Sequence, residues 1–196
     1  HQNNLLNVCY AKAIRSDTGH DDIIELGRMI AANKAKILIH ILGDGPLYKN
    51  FLKKISQYDL QDVIKTHGLF EHHEVIPNIS HMDLGITTSP IEMMPNFILD
   101  CFSPGLPVIG YRTSGVEDLI VDGVNGHLIN PGDIEAFFKC IKGLSQDTPR
   151  ISEMSSNAQY SSLEYSPLKI GNKLSMKTFA IVGYSGGRCL KIAKKK

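Results

Sequence analysis

The stretch KILIHILGDGPLYKNFLKKISQYD, residues 36–59, decides how this chain is read. Residues 36–43 are nearly continuous in apolar side chains, the pattern of a strand covered on both faces. Gly43-Asp44-Gly45-Pro46 then breaks the run. The glycines allow a sharp turn and close backbone approach, and Pro46 suits the first turn of a helix because its missing N–H is not needed there. Beyond it Leu47, Phe51, Leu52 and Ile55 recur at helical spacing. Strand, tight turn and amphipathic helix make one βα unit.

The same unit repeats outward in both directions. Strands are expected at 5–14, 36–43, 63–68, 83–89, 107–111 and 126–130, and helices at 21–35, 46–59, 72–80, 95–103, 115–121 and 133–145. The 21–35 helix carries Asp21 and Asp22 at its positive dipole end. This alternation predicts an α/β fold, an open, doubly wound and mainly parallel sheet of about six strands with helices on both faces. The pattern assigns residues 1–150 to one Rossmann-like domain and 151–196 to C-terminal helices and a basic tail. In the second part, Ser-rich helical stretches (150–166 and 167–179) precede a strand candidate at 180–184 and the Gly-rich turn 183–188.

Composition sets the outer bounds. The 196 residues, 42% hydrophobic and 21% charged, are ordinary for a globular chain. No apolar run approaches the roughly 18 residues that span a bilayer. Cys9, Cys101, Cys140 and Cys189 include no Cys-x-x-Cys pair, and the first three lie in apolar segments, as buried reduced thiols of a cytoplasmic protein do. Of the 21 bases, eight lie beyond Glu164 and none of the 20 acids does. A basic tail on an acidic body fits a peripheral contact with anionic lipid at the inner membrane face, or simply a solvated terminus.

Chemistry is expected in the loops beyond the carboxyl ends of the strands. The Gly43–Pro46 turn is one such loop, and it lacks the spacing of a dinucleotide fingerprint. A second is IEMMPNFILD, residues 91–100, where Glu92 and Asp100 bracket a helix start at Pro95. There the free N–H groups of Asn96 and Phe97 suit a phosphate. A carboxylate at Glu92 suits sugar hydroxyls, and one at Asp100 suits a vicinal diol such as a ribose. Spacing alone favours solvated acids at both positions. His67, His72, His73 and His81 show no metal-ligand spacing, no nucleophile elbow is present, and no basic stripe with aromatics marks a nucleic-acid surface.

Taken in order, ILGDGPL, VIKTHGLFEHHEV, EMMPNFILD and GLPVIGYRTSGVEDLIVDGVNGHLINPGD resemble the C-terminal, donor-binding domain of retaining, GT-B-fold glycosyltransferases of the group 1, family 4 type. The likeness runs from about Lys12 to Gln146, with Ser161 to Ser166 similar to the family's later helices. It implies transfer of a hexose from a UDP- or GDP-sugar to a glycan or glycolipid, without a metal or other cofactor. Glu92 would hold the donor sugar, Met93, Met94, Pro95, Asn96 and Phe97 would line the sugar and phosphate cleft, and Asp100 would hold the ribose. Asp100 stands where the family has Glu, a carboxylate shorter by one methylene, about 1.5 Å.

The family's basic pair for the diphosphate falls on Lys12 and Thr18; Thr18 carries no charge, and Arg15 is the neighbouring cation that would compensate. Gly43 belongs to the matched turn, and Gly68, Leu69 and Phe70 match the segment whose backbone meets the base. The resemblance also implies an N-terminal acceptor domain, and only about nine residues precede the first matched strand. By itself the chain is therefore expected to bind a nucleotide sugar and transfer nothing. A nucleotide-sugar 2-epimerase and a degenerate, non-catalytic nucleotide-binding module remain the alternative readings.

Overall fold

Six strands form a single sheet in the computed structural model, which describes residues 5–93 and 95–165. They are β1 (Leu6–Ala11), β2 (Ile37–Leu42), β3 (Ile64–Thr66), β4 (Leu84–Thr87), β5 (Val108–Tyr111) and β6 (Gly126–Ile129). Their order is β3-β2-β1-β4-β5-β6, and every pairing is parallel. Helices α1 (His20–Ala32), α2 (Tyr48–Gln57), α3 (His72–Ile79), α4 (Asn96–Phe102), α5 (Ser114–Glu117), α6 (Ile134–Leu144) and α7 (Thr148–Glu164) complete the described residues. The expected α/β sheet is the one observed. The described residues up to Ser162 form one compact unit. The basic tail, the 167–179 helix, the 180–184 strand, the 183–188 turn, Cys189 and Met94 lie outside the described residues. Among the described residues, no helix is long and apolar enough to cross a membrane.

Strand alternation sends Val8, Tyr10, Ile39, Ile41, Leu84, Ile86, Ile109 and Tyr111 to one face, under Ile23, Leu26 and Ile30 of α1, Phe51 of α2 and Phe137 and Ile141 of α6. Each of these large side chains contributes roughly 1.5–3 kcal/mol when fully buried. The opposite face is thinner. A Cβ on Gly85 would lie 2.6 Å from the Cys101 sulfur of α4, and one on Gly110 would lie 2.9 Å from Thr87 Cγ2. Small residues in β4 and β5 therefore let α4 and α5 settle close to the sheet.

Most elements are shorter than their patterns, and three of them show why. Strand β1 ends at Ala11 rather than 14, because Ile14 leaves the sheet to donate its N–H to the Asp44 carbonyl (3.0 Å) and accept from Leu47 N–H (3.1 Å). The same bond holds Leu47 outside α2, so that helix opens at Tyr48 and not on Pro46. Helix α5 stops at Glu117, short of 121, where the Asn125 side chain takes the Val121 N–H (2.8 Å).

Candidate functional site

The strand order reverses between β1 and β4, so the loops after these two strands diverge and leave a crevice at the carboxyl edge. Hydrogen bonds staple the two loops together. Thr88 Oγ1 donates to the Gly19 carbonyl at 2.8 Å. Gly19 has φ +72°, and a Cβ there would lie 1.9 Å from the Thr88 carbonyl oxygen, so only glycine fits. Tyr10 O–H donates to the Thr18 carbonyl at 2.6 Å, and burial pushes that phenol well above its ordinary value, keeping it a donor. Thr18 itself is buried; its hydroxyl accepts from Arg15 N–H (3.2 Å) and donates to the Arg15 carbonyl (2.9 Å), closing the 15–18 turn.

Ending β1 at Ala11 places Lys12 at the edge of the crevice, its side chain only 13% exposed. Lys12 Nζ donates to Ser89 Oγ at 2.8 Å and forms an ion pair with Glu92, whose side chain is 18% exposed. The Glu92 backbone is braced in turn: its carbonyl accepts the Gly115 N–H at 3.0 Å, and a Cβ on Gly115 would lie 2.6 Å from that oxygen. Helix α4 opens directly after this loop, with Pro95 as its N-cap.

A cleft of about 280 Å³ brings together Lys12, Glu92, Pro95, Asn96, Phe97 and Asp100. Asp100 is half-buried, one turn into α4, and α4 sits close because β4 offers Gly85 beneath Cys101. A second recess of about 230 Å³ shares Ala11, Lys12 and Val75 with the cleft and adds Gly43, Asp44, Leu69 and Phe70. Gly43 has no room for a side chain, since a Cβ would lie 2.1 Å from the Lys12 carbonyl oxygen. Its N–H donates to the Gly68 carbonyl (2.7 Å), tying the loops after β2 and β3. Gly68 takes φ +78°, and Leu69 next to it is 74% exposed.

Arg15 lines a third recess, of about 220 Å³, on the other side of Lys12 with Asp17, Thr18 and Ser89. Its guanidinium is held in a forked pair by Asp17, at 3.1 and 3.0 Å. Met93 does not line any of these recesses and is 80% exposed. Ser89, Asp17, Asp44 and Val75 are site-lining residues that the sequence reading did not single out. Even Ser89 carried no distinguishing signal, since it ends the 83–89 candidate DLGITTS directly after Thr87 and Thr88.

Against known proteins, residues 2–160 match the family model "Glycosyl transferases group 1". The chain belongs to this family of glycosyltransferases. It is 29% identical over 119 residues to a putative colanic acid biosynthesis glycosyltransferase, WcaL, of Salmonella typhimurium, covering 58% of this chain and 29% of that protein. It is 28% identical over 152 residues to the alpha-D-kanosaminyltransferase of Streptomyces kanamyceticus, covering 77% of this chain and 39% of that one. The fold is that of Anabaena Alr3699/HepE, solved in complex with UDP-glucose, at a TM-score of 0.77 and 21% identity over 91% of this chain and 49% of that chain. The chain thus spans less than half the length of each of these proteins.

Proposed function

We propose that this chain is the donor-binding half of a retaining glycosyltransferase that moves a hexose from a UDP- or GDP-sugar to a glycan or glycolipid. The carrying observation is the cleft at the strand-order reversal, where one cation (Lys12) and two carboxylates (Glu92 and Asp100) converge around the opening of α4. Asp100 accepts the ribose hydroxyls, Glu92 accepts from the sugar, and Lys12 with the N–H groups of Asn96 and Phe97 neutralises the diphosphate. The base lies in the adjoining recess against Gly43 and the Gly68–Phe70 backbone. The diphosphate leaves with its charge balanced by these groups, so the reading needs no metal. Relatives' structures with UDP favour the uridine form. Acceptor binding belongs to an N-terminal half, and the chain of 196 residues alone binds donor without transfer. The basic residues beyond Glu164 provide a contact with anionic lipid.

The test is calorimetric titration of the chain with UDP-glucose and GDP-mannose. Binding is expected, and Lys12→Met or Glu92→Gln lowers affinity by about tenfold or more, the worth of a hydrogen bond to a charged group. No heat with either sugar nucleotide overturns the reading. A second reading, nucleotide binding without transfer even in a full-length protein, is favoured by Thr18, which is buried and uncharged. Under it Thr18→Lys raises transfer from near zero; wild-type transfer at substantial rates rejects it.

A further inference from the structure

Lys12 is held by two groups, neither of which its sequence neighbourhood supplies. Glu92 is the charged partner; Ser89 Oγ, 2.8 Å from Nζ, is the other. Ser89 is 3% exposed and lies two residues past the end of β4, in the loop that Thr88 ties to Gly19, so burial and that tie hold its hydroxyl in place. Its own O–H is directed at the Thr18 carbonyl, 3.5 Å away, an oxygen that also accepts from Tyr10. With the proton turned that way, a lone pair of Oγ faces the ammonium. The neighbouring Thr88 fixes the same edge by bonding Gly19.

We infer that Ser89 is a positioning residue, which holds the Lys12 ammonium at the diphosphate side of the cleft when Glu92 turns to the sugar. This rests on the proposed donor-binding function. A lysine is a point charge on a flexible stem with three donors. In this structure Glu92 and Ser89 take two of those donors. A bound sugar competes for Glu92, and a lysine anchored by Glu92 alone would then lose its place as the phosphates arrive. Ser89 carries no charge and does not compete with phosphate for it. It keeps the stem oriented and leaves the remaining donors for the diphosphate oxygens.

The test uses the full chain as wild type, Ser89→Ala, Ser89→Cys, Ser89→Thr, Lys12→Met and the Lys12→Met/Ser89→Ala double variant. UDP-glucose binding is read by calorimetry, or GDP-mannose binding where UDP-glucose gives no heat. Separately, acylation of Lys12 by an amine-reactive ester is timed by peptide mass, without nucleotide. Ser89→Ala weakens binding about tenfold. Ser89→Cys, of similar size but a poor acceptor, does the same and guards against a folding defect in the alanine variant. Ser89→Thr keeps the hydroxyl and stays close to wild type. In the Lys12→Met background Ser89→Ala has no further effect, because the residue it positions is gone. Lys12 acylates several-fold faster in the alanine and cysteine variants. Additive losses in the double variant, or an unchanged acylation rate, overturn the inference. If wild type binds neither sugar nucleotide, the functional reading falls, and the acylation arm alone decides the role of Ser89.

Discussion

On one face of the sheet Tyr10, Ile39, Ile41, Ile109 and Tyr111 pack beneath α1, α2 and α6; on the other, the same strands present Cys9, His40, Gly85 and Gly110. The first face is built of large side chains with their polar ends satisfied, such as the Tyr111 O–H donating to Asp22 at 2.7 Å. The second sets small or polar residues among aliphatic ones such as Leu38 and Val108, and α4 lies against it with Cys101 over Gly85. Bulk on the first face makes the domain stable. Thinness on the second brings the helix that carries Asp100 close to the strand that leads into Lys12.

The largest expected effect breaks the first face. Phe137 of α6 is fully buried and meets Tyr111 edge-on, with ring centroids 5.6 Å apart. Phe137→Ala is expected to cost about 3–5 kcal/mol in urea unfolding, leaving donor affinity of the folded fraction within about twofold. A change on the second face should divide differently. Gly85→Ala forces a methyl group against the Cys101 sulfur and is expected to cost about 1–3 kcal/mol. It also shifts α4, so donor affinity should fall several-fold in protein that remains folded. Equal effects on affinity from both substitutions would abolish the distinction between the faces.

How far the sequence alone carries this picture depends on the range of the interaction concerned. The strands were legible because ILIHIL and its counterparts are short runs rich in aliphatic residues, with Gly or Pro close to their ends. Element ends were less so. Ala13 and Ile14 continue the apolar run of β1, and only bonds to Asp44 and Leu47, some thirty residues on in sequence, take Ile14 out of the sheet. Glu92 and Asp100 could be picked out by spacing and by the family likeness, but the partners of Glu92 could not. Lys12 and Glu92 are eighty positions apart in sequence and meet only because β1 and β4 are adjacent. Ser89 follows from the same adjacency. The Arg15–Asp17 fork is local, yet nothing in RSDTG distinguishes it from two solvated charges.

The smallest expected effect tests the polar part of the second face through pH. His40 Nε2 lies 3.2 Å from Asn7 Oδ1, an acceptor, so this nitrogen carries the proton and the bare Nδ1 accepts from His67 Nε2–H at 3.0 Å. A proton added to His40 would meet the proton of His67. Partial burial, then His67, Lys65 and His81, lower the His40 pKa below its usual 6.5. The folded chain therefore binds fewer protons at this site than the unfolded chain does. The contribution to stability is fully present above pH 6.5 and is lost as pH falls through the folded value. Urea midpoints should fall between pH 7 and pH 5 in wild type and fall less steeply in His40→Gln, which keeps an amide donor and acceptor but cannot titrate. The Asp21 carboxyl, held low chiefly by its hydrogen bond to Lys54, titrates below its usual 3.8 and leaves that window undisturbed. Identical slopes in the two proteins would show that the histidine pair is indifferent to protonation, and that the thin face owes its arrangement to small residues alone.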